Sequence, residues 1–265
     1  MLKQRIITAI LLILLLLSLI SIGGLTLNIF LLILYALMQW ELFSFSSSFK
    51  QKERILLTSA SLILPLSYLL FGYISFYLAL ISYFMLLTIF EIIRSENEKH
   101  FDLNSNNLLI YLLSVCYVGL FGTSLFIAVN RFESDYIYWL LITVCTTDSF
   151  AYFTGKLFGK NKITPRISPN KTIEGLIGGI IAAITVASVF KIYFNINLTN
   201  TAYIIFTLIL IVVSIFGDLF ESYIKRIYNK KDSGTILPGH GGVLDRIDSI
   251  IFCAPILLFV EYFLR

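Results

Sequence analysis

Charge is scarce in this chain. Asp, Glu, Lys and Arg supply 14% of its 265 residues, against 58% apolar, whereas a soluble domain carries about 25% charged residues. That is too little polar side chain to cover a water-facing surface. It also excludes intrinsic disorder, a collagen-like fibre and a disulfide mini-scaffold. Cysteine is equally sparse. Cys116, Cys145 and Cys253 lie in apolar stretches, fit no zinc spacing and, being odd in number, give no disulfide framework. They read as packing residues. The two histidines, His100 and His240, form no Ser-His-Asp hydrolase arrangement, and no Walker A run (GxxxxGK[ST]) occurs. What remains is an all-α polytopic membrane protein, because lipid tolerates only backbones that satisfy their own hydrogen bonds.

A helix crosses the hydrocarbon core in about 20 apolar residues. That rule predicts nine spans, near 6–22, 27–45, 55–71, 73–93, 108–129, 136–154, 173–194, 201–224 and 249–264. Gly23-Gly24 and Gly72 mark tight turns between neighbouring spans. The opening stretch, with Lys3 and Arg5 ahead of an apolar run, has the look of a signal peptide. It is longer than the usual signal core, however, and reads as a retained first helix. Alternation of nine spans from a cytoplasmic N-terminus puts 17 of the 20 Lys and Arg residues on the cytoplasmic side, leaving only Arg131, Lys191 and Arg265 opposite. This is the positive-inside asymmetry. It predicts a cell-membrane protein whose working face is cytoplasmic.

The spans divide by content. Residues 1–107 have no polar cluster inside a span and read as scaffold; the polar loop at 94–107, His100 included, reads as a solvated connector. Residues 108–265 carry the chemistry, in two blocks. The first, Thr146–Gly175, holds Asp148 inside a span, Gly155, Gly159, five basic residues and a Ser168-Pro169-Asn170-Lys171-Thr172 turn. Ser168 or Thr172 is placed to start the next helix, where Glu174 suits the positive end of the dipole. Such a basic loop at a helix start binds phosphate. It would equally bind anionic lipid headgroups, and spacing does not choose between the two.

The second block, Gly217–Ser249, is sharper. Asp218, Glu221 and Lys225 share a helical stripe, with Ser222 on its flank. Lys225, Arg226, Lys230, Lys231 and Asp232 follow. Leu237–Gly242 contains Gly239, His240, Gly241 and Gly242 and cannot be a regular helix. Asp245 and Asp248 then fall three apart, with Arg246 between them. Carboxylates set among basic residues suit a hard divalent cation that bridges substrate phosphates, the equipment of phosphoryl or nucleotidyl transfer. A structural ion pair between Asp218 and Lys225 is the plainer alternative.

The run from Ser222 through Lys225, Arg226, Lys231-Asp232-Ser233-Gly234 and Leu237–Gly242 to Asp245-Arg246 and Asp248 resembles the signature of the phosphatidate cytidylyltransferases, or CDP-diacylglycerol synthases. The block Ser168–Gly175 is similar to a second family block, with Asn170 in place of a frequent Lys and Ile173 in place of a frequent Trp. The resemblance implies transfer of CMP from CTP to phosphatidic acid with release of pyrophosphate. It also implies Mg2+, with room for a second cation, and a bilayer setting; nucleic acid has no part in it, and a homodimer follows from the resemblance alone. On that footing the expected catalytic residues are Asp218, Asp245, Asp248, Lys225 and His240. The expected cation ligands are Asp218 and Asp245, then Asp248, with Asp148 as a ligand or its support. Ser168, Asn170, Lys171, Thr172, Ser222, Arg226, Lys231, Asp232, Gly241, Gly242 and Arg246 are the expected substrate contacts. A related enzyme acting on another lipid, such as a CDP-archaeol synthase or a polyprenol kinase, would look similar. A transporter or channel would instead spread polar groups through the spans or repeat them between halves, and no internal repeat is found.

Overall fold

A computed structural model describes residues 14–97, 107–194, 196–236 and 241–264. It is almost entirely helical: α1 (residues 14–22), α2 (Gly24–Phe43), α3 (Gln51–Ser61), α4 (Ile63–Phe71), α5 (Tyr73–Asn97), α6 (Asn107–Leu112), a π-helix (Leu113–Gly122), α7 (Thr123–Arg131), α8 (Ser134–Phe158), α9 (Ile173–Tyr193), α10 (Asn200–Ile227) and α11 (Leu244–Leu264). The exception to the all-α expectation is a short antiparallel hairpin, β1 (Lys162–Thr164) with β2 (Ser168–Thr172).

Six stretches among the described residues are long and apolar enough to span a bilayer: Gly24–Phe43, Gln51–Phe71, Tyr73–Glu96, Asn107–Arg131, Ile173–Tyr193 and Asn200–Ile227. Each matches a predicted span. Of the other three, 6–22 is described only from residue 14, where α1 begins. The predicted spans 136–154 and 249–264 lie within α8 and α11, but are not among the six. In α8 the reason is composition: Thr143, Thr146, Thr147 and Asp148 dilute the apolar run. The chain is thus a multi-pass, predominantly α-helical membrane protein.

The chain divides into two compact units. The first comprises Met1–Ile127 and Asp232–Asp245. Its turns follow the glycines. Gly23 and Gly24 sit at φ +63° and +56°, and Gly72 at φ +84°, where a Cβ would be strained. The predicted span 55–71 is broken at Leu62, and Pro65 explains the break. Proline has no N–H for the carbonyl four residues back, so Ser61 loses its helical donor. The Tyr35 hydroxyl donates to that carbonyl instead, at 3.3 Å.

Beside it lies a buried polar network that hydropathy does not reveal. Gln39 Nε2 donates to Tyr35 Oη (3.2 Å) and to the Ser114 carbonyl (3.0 Å). Ser114 Oγ donates to Gln39 Oε1 at 2.8 Å and shares a hydrogen with Tyr83 Oη at 2.7 Å. Ser114 belongs to the π-helix. A second cluster joins Arg94 to Glu91 (3.1 Å) and Glu53 (3.8 Å), with Tyr111 Oη and Asn107 Nδ2 donating to Glu91. The expectation of a first half without internal polar clusters is therefore corrected. Both clusters combine neighbours on one helix, Tyr35 with Gln39 and Glu91 with Arg94, with partners from other helices that spacing does not reveal.

The second unit comprises Ala128–Lys231 and Arg246–Arg265, and its centre is the α8–α9 pair. Small residues repeat every fourth position along the buried face of α9: Gly175, Gly179, Ala183 and Ala187. The opposite face shows Ile173, Ile177 and Ile181, all exposed, as a lipid-facing stripe requires. Lipid gives no hydrophobic push between helices, so close backbone approach over small residues takes its place. A Cβ on Gly179 would lie 2.7 Å from the Thr147 carbonyl, and one on Gly178 would lie 2.4 Å from the Thr154 side chain. Of the cysteines, Cys253 packs inside as expected, while Cys116 and Cys145 are exposed. Gly179→Val should lower the thermal unfolding midpoint in detergent by several degrees, because backbone cannot yield to the added carbons. Thr185→Ala, on the exposed side of α9, should leave the midpoint within about a degree.

Candidate active site

The site grows from the hairpin that precedes α9. Thr172 is the N-cap, as the sequence suggested: its Oγ1 accepts the Gly175 N–H at 3.1 Å. Residues 168–172, read from sequence as a turn, pair as a strand with Thr164 opposite Ser168 and Lys162 opposite Thr172. Gly155, Gly159 and Gly175 all crowd the Thr172 hydroxyl. Glu174, in the first turn of α9, reaches back to accept the backbone N–H groups of Lys160 (3.0 Å) and Asn161 (3.2 Å) and the Asn161 side-chain amide (2.8 Å). Two carboxyl oxygens thereby fix the end of α8 and the start of the hairpin. The fixed strand carries Lys171. Ser168 is half-buried and Asn170 is exposed.

Lys171 meets Asp218 of α10, Nζ to Oδ2, at 2.5 Å. Asp218 also accepts the Ser222 hydroxyl, one turn on, at 3.4 Å. Lys225 pairs with Glu221 rather than with Asp218, so the ion pair considered from sequence is not the one formed. Asp148 of α8 and Asp248 of α11 lie within electrostatic range of Asp218 and of each other, with Lys171 and Lys225 in the same field. Asp248 is 8% exposed, and one of its oxygens takes the Ser249 N–H at 2.7 Å. Gly217 lets α11 approach, since its Cβ would meet Ser249 Cα and the Asp248 carbonyl at 3.0 and 3.1 Å. Arg226 lies against the hairpin, with Nε donating to the Ile167 carbonyl at 3.2 Å. The second unit thus gathers Asp148, Lys171, Asp218, Glu221, Ser222, Lys225, Arg226 and Asp248.

The first unit holds the rest. Asp245 Oδ2 accepts the backbone N–H groups of Ser233 (2.9 Å) and Gly242 (2.8 Å). Gly241 sits at φ +83°, where a Cβ would come 2.6 Å from that same oxygen. Asp245 therefore fixes Ser233, Gly241 and Gly242 around its carboxylate. Asp232 is exposed, as are Lys231 and Arg246, which belong to the second unit. His240 lies outside the described residues. Glu41 was missed from sequence: it stands alone at the end of an apolar helix, yet it accepts hydrogen bonds from Ser233, Val243 and Leu244.

Among the described residues, no three His, Cys, Asp or Glu side chains form a group able to hold a metal by themselves. Mg2+ does not require one. It keeps waters and binds through one or two carboxylates plus substrate phosphates, and the oxygen-only set of Asp148, Asp218 and Asp248 suits it in donor chemistry.

The sequence model of the cytidylyltransferase family matches residues 3–264. This chain belongs to that family. It is 36% identical over 270 residues to a phosphatidate cytidylyltransferase of Bacillus subtilis, covering 97% of both chains. A phosphatidate cytidylyltransferase of Staphylococcus haemolyticus is 47% identical over 146 residues, 55% of this chain and 56% of the relative. One from Staphylococcus saprophyticus is 44% identical over 147 residues, with the same coverage.

Thr172→Val keeps the shape of the cap and removes its acceptor. A lost N-cap costs about 1 kcal/mol, so the variant should unfold several degrees below the parent in detergent. Thr172→Ser should retain the cap and most of that stability.

Proposed function

We propose that this protein transfers CMP from CTP to phosphatidic acid, giving CDP-diacylglycerol and pyrophosphate at the cytoplasmic face of the cell membrane. One observation carries the reading from the structure. Asp148, Asp218 and Asp248 share one charge field with Lys171 and Lys225, and the basic hairpin supplies that Lys171. Whole-length similarity to a phosphatidate cytidylyltransferase supports it from the sequence side. Nine spans and a cytoplasmic N-terminus complete the proposal, supported by the Lys and Arg distribution.

In the proposed reaction a phosphate oxygen of phosphatidic acid attacks the α-phosphorus of CTP. A new P–O bond forms as the bond to the β-phosphate oxygen breaks, and pyrophosphate departs with the electron pair. No protein nucleophile is needed, so the chain contributes positioning and charge. Lys171, Lys225, Arg226, Lys231 and Arg246 would hold phosphate oxygens against their mutual repulsion. Lys171 is placed on a strand whose two ends are tied down, which suits it to a fixed position. Ser168, Asn170, Thr172 and Ser222 would line the phosphate and headgroup region, and Asp232, His240, Gly241 and Gly242 the nucleotide. Asp218 and Asp248, with Asp148 beside them, would hold Mg2+, and Asp245 stays in the proposed ligand set on its sequence pattern. The cation would supply charge neutralisation on the phosphates.

A kinase acting on another lipid would release CDP, and a transporter would release nothing. Purified protein given labelled CTP and phosphatidic acid should release pyrophosphate and place CMP on the lipid. CDP as the product, or no turnover with phosphatidic acid, would sink the proposal. Asp218→Asn and Asp245→Asn should each lower turnover by about 100-fold or more while eluting as folded species in size exclusion. Near-parental turnover in Asp218→Asn would remove that residue from the proposed ligand set. Chelation of divalent cations should stop the parent enzyme and added Mg2+ should restore it.

A further inference from the structure

Glu41 lies at the end of α2, in the half of the chain that reads from sequence as scaffold. It is 1% exposed. Its two oxygens are aimed away from its own helix, at a segment about two hundred residues later. Oε1 accepts the Val243 N–H at 2.8 Å. Oε2 accepts the Leu244 N–H at 2.8 Å and the Ser233 hydroxyl at 3.0 Å. Ser233 Oγ in turn accepts the Asp245 N–H at 3.3 Å.

These bonds answer a local need. The first N–H groups of a helix have no partner inside it, and α11 begins at Leu244. A carboxylate at that end satisfies two of them and meets the positive end of the dipole. The surrounding sequence is shaped to admit the side chain. A Cβ on Gly234 would come 2.6, 2.9 and 3.1 Å from Glu41 atoms, and one on Gly242 would come 2.5 Å from Glu41 Oε2. Two glycines of the 232–245 segment therefore make way for one glutamate. Asp245 takes the Gly242 and Ser233 N–H groups from the other side, so Ser233 and the backbone at 242–244 are held between two carboxylates.

We propose that Glu41 is a positioning residue for the reaction: it sets the backbone at 233–234 and 241–244, and through it the Asp245 carboxylate, for binding CTP. This rests on the proposed cytidylyltransferase activity and extends it into the N-terminal helices. Glu41 need not touch substrate. Its contribution is the register of the segment that does.

The test uses full-length protein in detergent. Glu41→Gln keeps the size of the side chain but turns one acceptor into a donor facing an N–H. It should raise KM for CTP about tenfold or more and leave KM for phosphatidic acid within about twofold. Hydrogen exchange at 241–244, read without substrate, should quicken by about tenfold. Gly234→Ala should reproduce the CTP effect by displacing Glu41. Combining it with Glu41→Ala should be no worse than Glu41→Ala alone, since the atoms that the new Cβ meets are then gone. Parental KM values and parental exchange in Glu41→Gln would overturn the proposal. So would a parallel rise of both KM values with loss of melting temperature, which marks a general structural role. If Glu41→Gln does not fold, Ser233→Ala carries the test: it keeps Glu41 and both of its backbone bonds. It should raise KM for CTP about threefold, and an unchanged KM would overturn the proposal. If the parent protein turns over no CTP, the activity reading fails, while the exchange measurement still decides whether Glu41 sets this segment.

Discussion

An ionised carboxylate in an apolar helical bundle must meet a cation or a set of N–H donors, because a buried charge without a partner is expensive. The second unit concentrates this demand: Asp148, Asp218, Glu221 and Asp248 come from three helices into one region. Lys171 and Lys225 answer part of it. The Lys171–Asp218 pair is the informative one, since it joins a hairpin to a membrane helix across 47 residues of sequence. The hairpin, its Thr172 cap and the Glu174 brace all serve to bring that lysine to that aspartate.

The same economy governs how the backbones meet. Gly155, Gly175, Gly178 and Gly179 let α8 and α9 touch, which brings the Asp148 helix alongside the strand that carries Lys171. Gly217 does the same for α10 and α11. In the first unit, glycines admit carboxylates rather than helices: Gly241 to Asp245, and Gly234 and Gly242 to Glu41. Glycine in this chain marks where something else must come close.

Features that depend on one stretch of chain were legible in the sequence. Gly23, Gly24 and Gly72 mark the turns between helices as expected, Thr172 begins a helix, and six predicted spans reappear in the structure. The charge pattern located the polar blocks. Features that depend on distant partners were not legible. Glu41 and Gln39 are single polar residues near the end of an apolar run, and nothing beside them announces partners at 243 or 114. Lys225 shares a stripe with both Asp218 and Glu221, and spacing alone could not say that Glu221 would take it. The β2 strand was hidden by Ser168, Pro169 and Asn170, which are turn formers by local preference. It pairs because β1 supplies the other edge. The break at Leu62 was in principle readable from Pro65, but the destination of the freed Ser61 carbonyl was not.

Charge compensation between the hairpin and α10 can be tested without substrate. Lys171→Met leaves Asp218 without its cation, whereas Lys171→Met with Asp218→Asn removes the need for one. Thermal unfolding of the parent, both single variants and the double variant in the same detergent completes a cycle. If the pair is the constraint that orders this region, Lys171→Met unfolds at a lower temperature than the double variant. Equal midpoints for those two, or a double variant less stable than Lys171→Met, would contradict it.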